Sequence, residues 1–195
     1  MAYMNTTSKP NGPTINTYLS DMLALECHIV EPLEHQQQDE AVGKSLAAKR
    51  VIDEATRITQ THIAALQSRL DQVGGHAGSP IKSGVASALG AVAAAIGDAR
   101  KTEVSKYLRD DYSAFALASA SYTMLHTTAL AIGDRATANL AERHLTDVAD
   151  IVMRVSATLP SVVLTELSEE GVAIDASVVT EAEQNVERAW TPSKN

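Results

Sequence analysis

The sequence has 195 residues, a formal net charge of −8, and only 4% aromatic residues. This length suits one domain with a sizeable core, and the segments rich in Ala, Leu, Glu and Gln favour helices over strands. The acidic balance and the sequence pI of about 5.2 argue against a nucleic-acid binder, because neutralising phosphates requires clustered Lys and Arg.

The single cysteine, Cys27, excludes an intramolecular disulfide, and the N-terminus lacks the basic and apolar regions of a signal peptide. We therefore expect a cytoplasmic protein, with Cys27 acting as a small packing residue of an apolar helix. The most apolar run, GVASALGAVAAAIG at residues 84–97, is shorter than the roughly 20 residues that span a bilayer, so we expect no membrane span.

The first half of the chain predicts a flexible tail and a helical hairpin. Residues 1–14 are rich in Asn, Thr, Ser, Pro and Gly and show no periodicity. Helix one is expected at about 15–40, with Glu26 on its inward stripe and a kink at Pro32. After a short connection at 39–44, helix two carries His62 inward and ends at Gly74 and Gly75.

The second half predicts a crossover, a second hairpin and a last helix. Residues 76–100 are too many for a tight turn and indicate a crossover with a short helix of its own. Helix three, about 101–132, stops at Gly133, and Asp134 caps helix four, which is expected to end at Pro160. A further amphipathic helix at about 176–190 ends in Trp190 and is expected to pack on the bundle or on a partner.

This order of elements predicts an all-α fold, a ferritin-like antiparallel four-helix bundle with a long crossover and an additional C-terminal helix. An up-down bundle is the rival arrangement, but it joins its helices through only roughly 2–8 residues. The chain is accordingly divided into a tail at 1–14, a bundle at 15–160 and a C-terminal segment at 161–195.

Several segments resemble the small bacterial ferritin-like proteins that are linked to stress responses. The best is ASYTML at 120–125 followed by ALAIGD at 129–134, which is similar to that group's Ala-Ala-Tyr, Leu and Ala-x-x-Leu-Gly-Asp run into helix four. DMLALE at 21–26 and residues 66–75 are weaker matches. The resemblance implies metal handling or a role in oxidative stress and, for any catalysis, a ferroxidase-like or other metal-dependent oxidoreductase.

The residues that would form a di-iron centre are only partly present. Ferritin-like sites take one Glu from each of two helices and a Glu-x-x-His motif from each of the other two. Glu26 matches the position in helix one, and His62 matches the histidine in helix two. Thr59 and Ala118 stand where the resemblance places bridging carboxylates, so the motif is incomplete.

Helix four adds His144 and Asp147, spaced by one turn. Counting from each turn at about 1.5 Å per residue places both at levels compatible with Glu26 and His62. The four residues can therefore form a mononuclear site for iron, manganese or zinc. The alternative is a metal-free polar layer, in which the histidines bond to Glu26, Tyr122 or a threonine.

Two functions therefore remain open at this point. One is a metal-binding protein, and the other is a metal-free helical scaffold for oligomerisation or partner binding, with a homo-oligomer expected. The run at 84–97 either packs inside the bundle or contacts a second subunit. Tyr112 and Phe115 are expected in the core, and His28, His35 and His76 have no assigned role. The sequence contains no phosphate loop, nucleophile elbow or paired-Cys motif.

Overall fold

The computed structural model describes residues 11–75 and 103–191, and these residues form six helices and no strand. The all-helical class predicted from the sequence is confirmed. The helices are α1 (Asn11–Gln37), α2 (Glu40–Lys44), α3 (Leu46–Gln72), α4 (Val104–Ala131), α5 (Arg135–Glu169) and α6 (Val178–Trp190).

Four long helices form a bundle. α1 packs against α3, and α4 packs against α5, while the two pairs meet through α1 with α4 and α3 with α5. The side chain of Glu26 meets Tyr122, and that of Gln36 meets Asp111, so residue numbers rise along α1 as they fall along α4. Neighbouring helices of the bundle are therefore antiparallel.

The two described residues that flank positions 76–102 lie at opposite ends of the bundle. Gly75 follows the end of α3, where Arg69 bonds to Asp134 in the turn between α4 and α5. Glu103 begins α4 at the other end, where the Tyr107 hydroxyl donates to Asp39, which follows α1. The predicted crossover helix, the run at 84–97 and most of the predicted tail lie outside the described residues.

Inward stripes of apolar side chains fill the centre of the bundle. On α1 the buried apolar side chains are Leu19, Met22, Leu25, Ile29 and Leu33, which lie on the same side as Glu26, while Leu23 and Val30 are half-buried. The fully buried apolar side chains of the other helices include Ile52, Leu66, Leu70, Leu108, Phe115, Tyr122, Leu125 and Val148.

The turn between α4 and α5 confirms the predicted stop and start signals. Gly133 has a φ of 79°, which a residue with a side chain adopts only with strain. The Asp134 carboxylate then accepts hydrogen bonds from the backbone N–H and the hydroxyl of Thr137, at 3.1 and 2.7 Å. The same carboxylate binds the Arg69 guanidinium, so this helix cap also joins α5 to α3.

Two predicted helix ends are wrong. α5 does not stop at Pro160 but continues to Glu169, so it crosses the predicted boundary between the bundle and the C-terminal segment. Proline removes the backbone donor that would bond the Ser156 carbonyl, and the packing of α5 on α3, α4 and α6 outweighs the loss of this one hydrogen bond. α1 begins at Asn11 rather than near residue 15, because its first turn accommodates Pro13.

Within the described ranges, one helix is long and apolar enough to cross a membrane by length and composition. This is α5, whose most apolar 18-residue window has a mean hydropathy of 1.4. The same helix packs against α3, α4 and α6, and many of its apolar residues belong to the core. The absence of a membrane span therefore stays a prediction.

We predict that Asp134→Ala destabilises the bundle by about 1–3 kcal/mol, because the substitution removes both a helix cap and a shielded ion pair. Only 17% of the Asp134 side chain and 16% of the Arg69 side chain are exposed. Urea denaturation measures the loss. Glu40→Ala is the matched control, since it breaks an exposed pair with Lys44 and should leave the midpoint unchanged. Equal midpoints for all three proteins would contradict this interpretation.

Candidate functional site

The four long helices each contribute one polar side chain to a layer in the middle of the core. Glu26 comes from α1, His62 from α3, Tyr122 from α4 and His144 from α5. Their exposed fractions are 0%, 2%, 0% and 5%. Buried polar groups of this kind are stable only when they bond to one another. We call these four residues, together with Asp147, the central polar layer.

His62 lies between two carboxylates. Its Nδ1 is 3.0 Å from Oε1 of Glu26, and its Nε2 is 3.1 Å from Oδ2 of Asp147. Carboxylate oxygens accept hydrogen bonds, so both contacts are satisfied together only when both ring nitrogens carry protons. The geometry therefore indicates an imidazolium at His62.

Tyr122 connects this ion pair to the second histidine. Its hydroxyl donates to Oε1 of Glu26 at 2.6 Å, a short bond that is typical of a donor to a charged oxygen. With its proton directed at Glu26, the hydroxyl oxygen accepts from Nδ1 of His144 at 3.0 Å. This fixes His144 in the tautomer that carries its proton on Nδ1 and leaves Nε2 with the lone pair.

The two imidazole rings are stacked, with centroids 3.8 Å apart and planes inclined by 12°. Burial, the nearby His62 and Arg143 together lower the pKa of His144 to about 3, so this ring stays neutral. Burial also opposes a charge on His62, but the hydrogen bonds and attraction from Glu26 and Asp147 outweigh it and raise the His62 pKa. The layer thus holds one charged and one neutral histidine.

The four residues predicted as metal ligands are brought together, but not as a ligand set. Glu26, His62 and Asp147 are in direct contact, and His144 stacks on His62. Among the residues that the structure describes, no group of three His, Cys, Asp or Glu side chains is arranged to hold a metal ion. Both nitrogens of His62 face carboxylates, so neither presents a lone pair to a metal.

A di-iron centre does not fit this layer. The positions where the family resemblance would place two bridging carboxylates hold Thr59 and Ala118, and both are 0% exposed. No carboxylate can reach the layer from those positions, and the Asp147 side chain is half exposed at its edge. Two adjacent ferrous or ferric ions would lack the negative charge that four carboxylates normally supply.

Two buried oxygens, one in the central polar layer and one on α3, have no hydrogen-bond partner among the described residues. They are Oε2 of Glu26 and the hydroxyl oxygen of Thr59. The hydroxyl of Thr59 departs from its neighbours, because Thr56 and Thr61 both donate to the carbonyl four residues earlier. Unsatisfied buried oxygens are rare in folded proteins, so the hydrogen bonding around Glu26 is incomplete among the described residues.

Sequence reasoning missed a second buried polar pair, formed by Gln36 and Asp111. Nε2 of Gln36 donates to Oδ1 of Asp111 at 2.9 Å. Burial, more than the neighbouring Asp110, raises the pKa of Asp111 to about 7. Among the described residues, Gln36 Oε1 and Asp111 Oδ2 have no hydrogen-bond partner. A proton on Asp111 would turn one of these acceptors into a donor and remove the buried charge. Asp111 falls between Leu108 and Phe115 on the inward stripe of α4, and this spacing is the signal that could have revealed it.

Other predicted roles had mixed outcomes. Phe115 is fully buried as expected, while Tyr112 is half-buried and packs near Trp190. His28 and His35 are exposed, and His76 lies outside the described residues. The packing role of Cys27 is wrong, because its side chain is exposed on the outer face of α1. Partial burial and the nearby Glu26 raise the pKa of the Cys27 thiol and so disfavour a reactive thiolate.

Comparison of the sequence with protein-family models and with curated proteins found no match in either case.

We predict that Asp111→Asn increases stability more at pH 8 than at pH 4. Because the folded pKa of Asp111 is raised from 3.8 to about 7, its favourable contribution is complete below about 4 and is lost as the pH rises to about 7. Asparagine does not titrate, so the advantage of the variant should grow across this window by up to about 4 kcal/mol. Urea denaturation at several pH values measures it.

Asp71→Asn is the control, because Asp71 is an exposed carboxylate that accepts a hydrogen bond from Gln67 within α3. This variant should unfold at nearly the same urea concentration as the wild type, since substitutions at exposed sites change stability little. An advantage of Asp111→Asn that is the same at pH 4 and pH 8 would contradict a buried, neutral Asp111.

Proposed function

We propose that the chain is a ferritin-like bundle that acts as a metal-free scaffold and assembles with a second copy of itself. Three observations support the ferritin-like assignment. The bundle consists of two antiparallel hairpins, the end of α3 and the start of α4 lie at opposite ends of the bundle, and Glu26 and His62 lie in the central polar layer. The single observation that carries the metal-free role is that carboxylates engage both nitrogens of His62.

The outer face of α4 supports assembly with a second copy. Residues 112–133 contain no Asp, Glu, Lys or Arg, although the chain as a whole has 24 acidic and 16 basic residues. On this helix Leu117, Met124 and Leu130 are 38%, 55% and 41% exposed. Ser113, Ala120, Thr123 and Thr127 are also exposed, so the face is uncharged and partly apolar along its length.

A second copy is the partner that this face suits best. Two chains of net charge −8 repel each other through most of their surfaces, and an uncharged face is where that repulsion is weakest. Interface cores are depleted of charge and enriched in Met and other apolar side chains. An antiparallel pair of α4 helices would bury the same residues on both chains, as two-fold symmetry requires.

We predict that Met124→Lys weakens self-association by about tenfold or more, because it places an unpaired charge in the centre of the uncharged face. Light scattering during size-exclusion chromatography should give twice the 20.7 kDa chain mass for the wild type and a lower average mass for the variant. Met153→Lys is the control, since Met153 is 37% exposed on α5. A monomeric wild type at high concentration, or equal effects of the two variants, would contradict this interface.

A second candidate function is binding of a single iron, manganese or zinc ion in the central polar layer. The unsatisfied oxygens of Glu26 and Thr59 favour it, because a bound cation would give the Glu26 oxygen a partner. His144 is neutral, and its Nδ1 proton is held by Tyr122, which leaves Nε2 able to ligate. This function requires one ring nitrogen of His62 to lose its proton and to bind the metal in place of a carboxylate.

Metal loading followed by elemental analysis separates the two candidates. The scaffold proposal predicts negligible bound metal in the wild type and in the Glu26→Ala/His62→Ala double variant. About one ion per chain in the wild type, lost in this variant, would contradict it and support the second candidate. The double variant Glu34→Ala/His35→Ala is the control, because both of its residues are exposed on α1. Circular dichroism of every variant establishes that the bundle is intact.

A further inference from the structure

The buried pair of Gln36 and Asp111 joins α1 to α4 at the end of the bundle where α2 lies, which we call the α2 end. The two residues are 4% and 6% exposed, and Nε2 of Gln36 donates to Oδ1 of Asp111 at 2.9 Å. The pair is separate from the central polar layer, because Gln36 lies about 15 Å along α1 from Glu26.

One proton would complete the hydrogen bonding of this pair. Oε1 of Gln36 and Oδ2 of Asp111 have no hydrogen-bond partner among the described residues. An ionised carboxylate only accepts hydrogen bonds, whereas a protonated carboxyl group also donates one. A proton on Oδ2 can therefore bond to Oε1 while Nε2 donates to Oδ1. Acid and amide then share two hydrogen bonds, and both unpaired oxygens gain a partner.

The groups on α1 and α4 favour the protonated acid. From α1, the group that faces Asp111 is the uncharged amide of Gln36. On α4, Asp110 adds negative charge next to Asp111, and the guanidinium of Arg109 bonds to Asp110. Burial, more than Asp110, raises the pKa of Asp111 to about 7.

The groups on α3 and α5 do not supply a counter-charge. Counting from the central polar layer at about 1.5 Å per residue places Ser156 of α5 and Ile52 of α3 at the level of Asp111. The charged residues next to them are Arg154, which bonds to carboxylates of α3 and α5, and Asp53, which bonds to a lysine of α3. Among the described residues, no cation pairs with Asp111.

Few other contacts hold the α2 end together. The helix α2 has five residues, of which Val42 is buried. Two further bonds join neighbouring elements, from the Tyr107 hydroxyl to Asp39 and from Nε2 of Gln37 to Asp53. Segments with little buried surface open at a lower free energy than the core of a protein.

We propose that Gln36 and Asp111 form a proton-dependent switch that controls opening of the α2 end. With Oδ2 of Asp111 protonated, two hydrogen bonds hold the end of α1 against α4. Loss of this proton leaves a buried carboxylate beside a carbonyl oxygen, so α2 and the adjoining part of α1 open more often and admit water to the charge. The switch acts within one chain and does not rest on the proposed self-association.

Amide hydrogen exchange followed by NMR measures this opening at single residues. At the α2 end, the N–H groups of Asp39, Gly43 and Ser45 donate to backbone carbonyls, with Asp39 bonding to the carbonyl of Gln36. At the opposite end, the N–H groups of Gly75 and Asp134 also donate to backbone carbonyls and serve as internal references.

The direction of the effect follows from the two states of Asp111. In the closed state its pKa is about 7, and in the open state it returns to the ordinary 3.8, so opening becomes easier as the pH rises from about 4 to 7. Between pH 5 and pH 7.5, protection at the α2 end, corrected for the intrinsic exchange rate, should fall by up to about a hundredfold. Protection at Gly75 and Asp134 should change far less.

Asp111→Asn is the decisive variant. Its side-chain amide can donate to Oε1 of Gln36 and accept from Nε2, as the protonated acid does, but it does not titrate. Protection at the α2 end of this variant should be the same at pH 5 and pH 7.5. Asp110→Asn is the matched control, because it changes the neighbouring carboxylate and should keep most of the pH dependence of the wild type.

Three results would overturn the proposal. The first is a carbon-13 NMR titration in which the carboxyl carbon of Asp111 loses its proton near pH 4. The second is an equal pH dependence at the α2 end in the wild type and in Asp111→Asn. The third is an equal loss of protection at both ends of the wild type, since ionisation would then weaken the whole bundle instead of opening one end.

Discussion

The ion pair of His62 with Glu26 and Asp147 is the interaction that the rest of the bundle must accommodate. Burying an imidazolium and a carboxylate is costly, and removing one partner from such a pair typically costs about 3–5 kcal/mol. The contacts join α1, α3 and α5, and Tyr122 adds α4. A slip of α1 or α3 by one turn would leave a buried charge unpaired, and a slip of α4 would remove the Tyr122 donor from Glu26. The layer therefore favours one register of these helices, whereas apolar stripes alone would tolerate several.

The same layer accounts for the scaffold proposal in terms of charge. A ferritin-like di-iron centre balances bound cations with four carboxylates. In this chain Thr59 and Ala118 carry no charge, and the negative charges of Glu26 and Asp147 face the positive charge of His62. Under the ferritin-like proposal, a protonated histidine would take the electrostatic role that a metal has in ferritin-like centres. The proposed self-association then lies on the outer surface, at the uncharged part of α4 from residue 112 onward.

Much of the fold followed from local patterns in the sequence, because helix ends are set by a few residues. Gly133 and Asp134 marked the turn between α4 and α5, and helical spacing placed Glu26 and His62 inward. The helix end predicted at Pro160 was wrong, because the packing of α5 on several helices outweighs one lost hydrogen bond. Helical spacing left two arrangements open, a metal site and a polar layer in which the histidines bond to Glu26 and Tyr122, because the choice depends on side-chain rotamers, which spacing does not encode. The structure has the second arrangement, with Asp147 as a further partner of His62.

Nitrogen-15 NMR of the imidazole rings tests the central claim most directly, because its chemical shifts distinguish protonated from unprotonated ring nitrogens. At pH 6.5, the ordinary pKa of histidine, the account predicts that His62 is mostly protonated on both nitrogens. His144 should be neutral, with its proton on Nδ1. The spectra can be assigned with His62→Gln and His144→Gln variants. A neutral His62 with an unprotonated nitrogen at this pH would contradict the account.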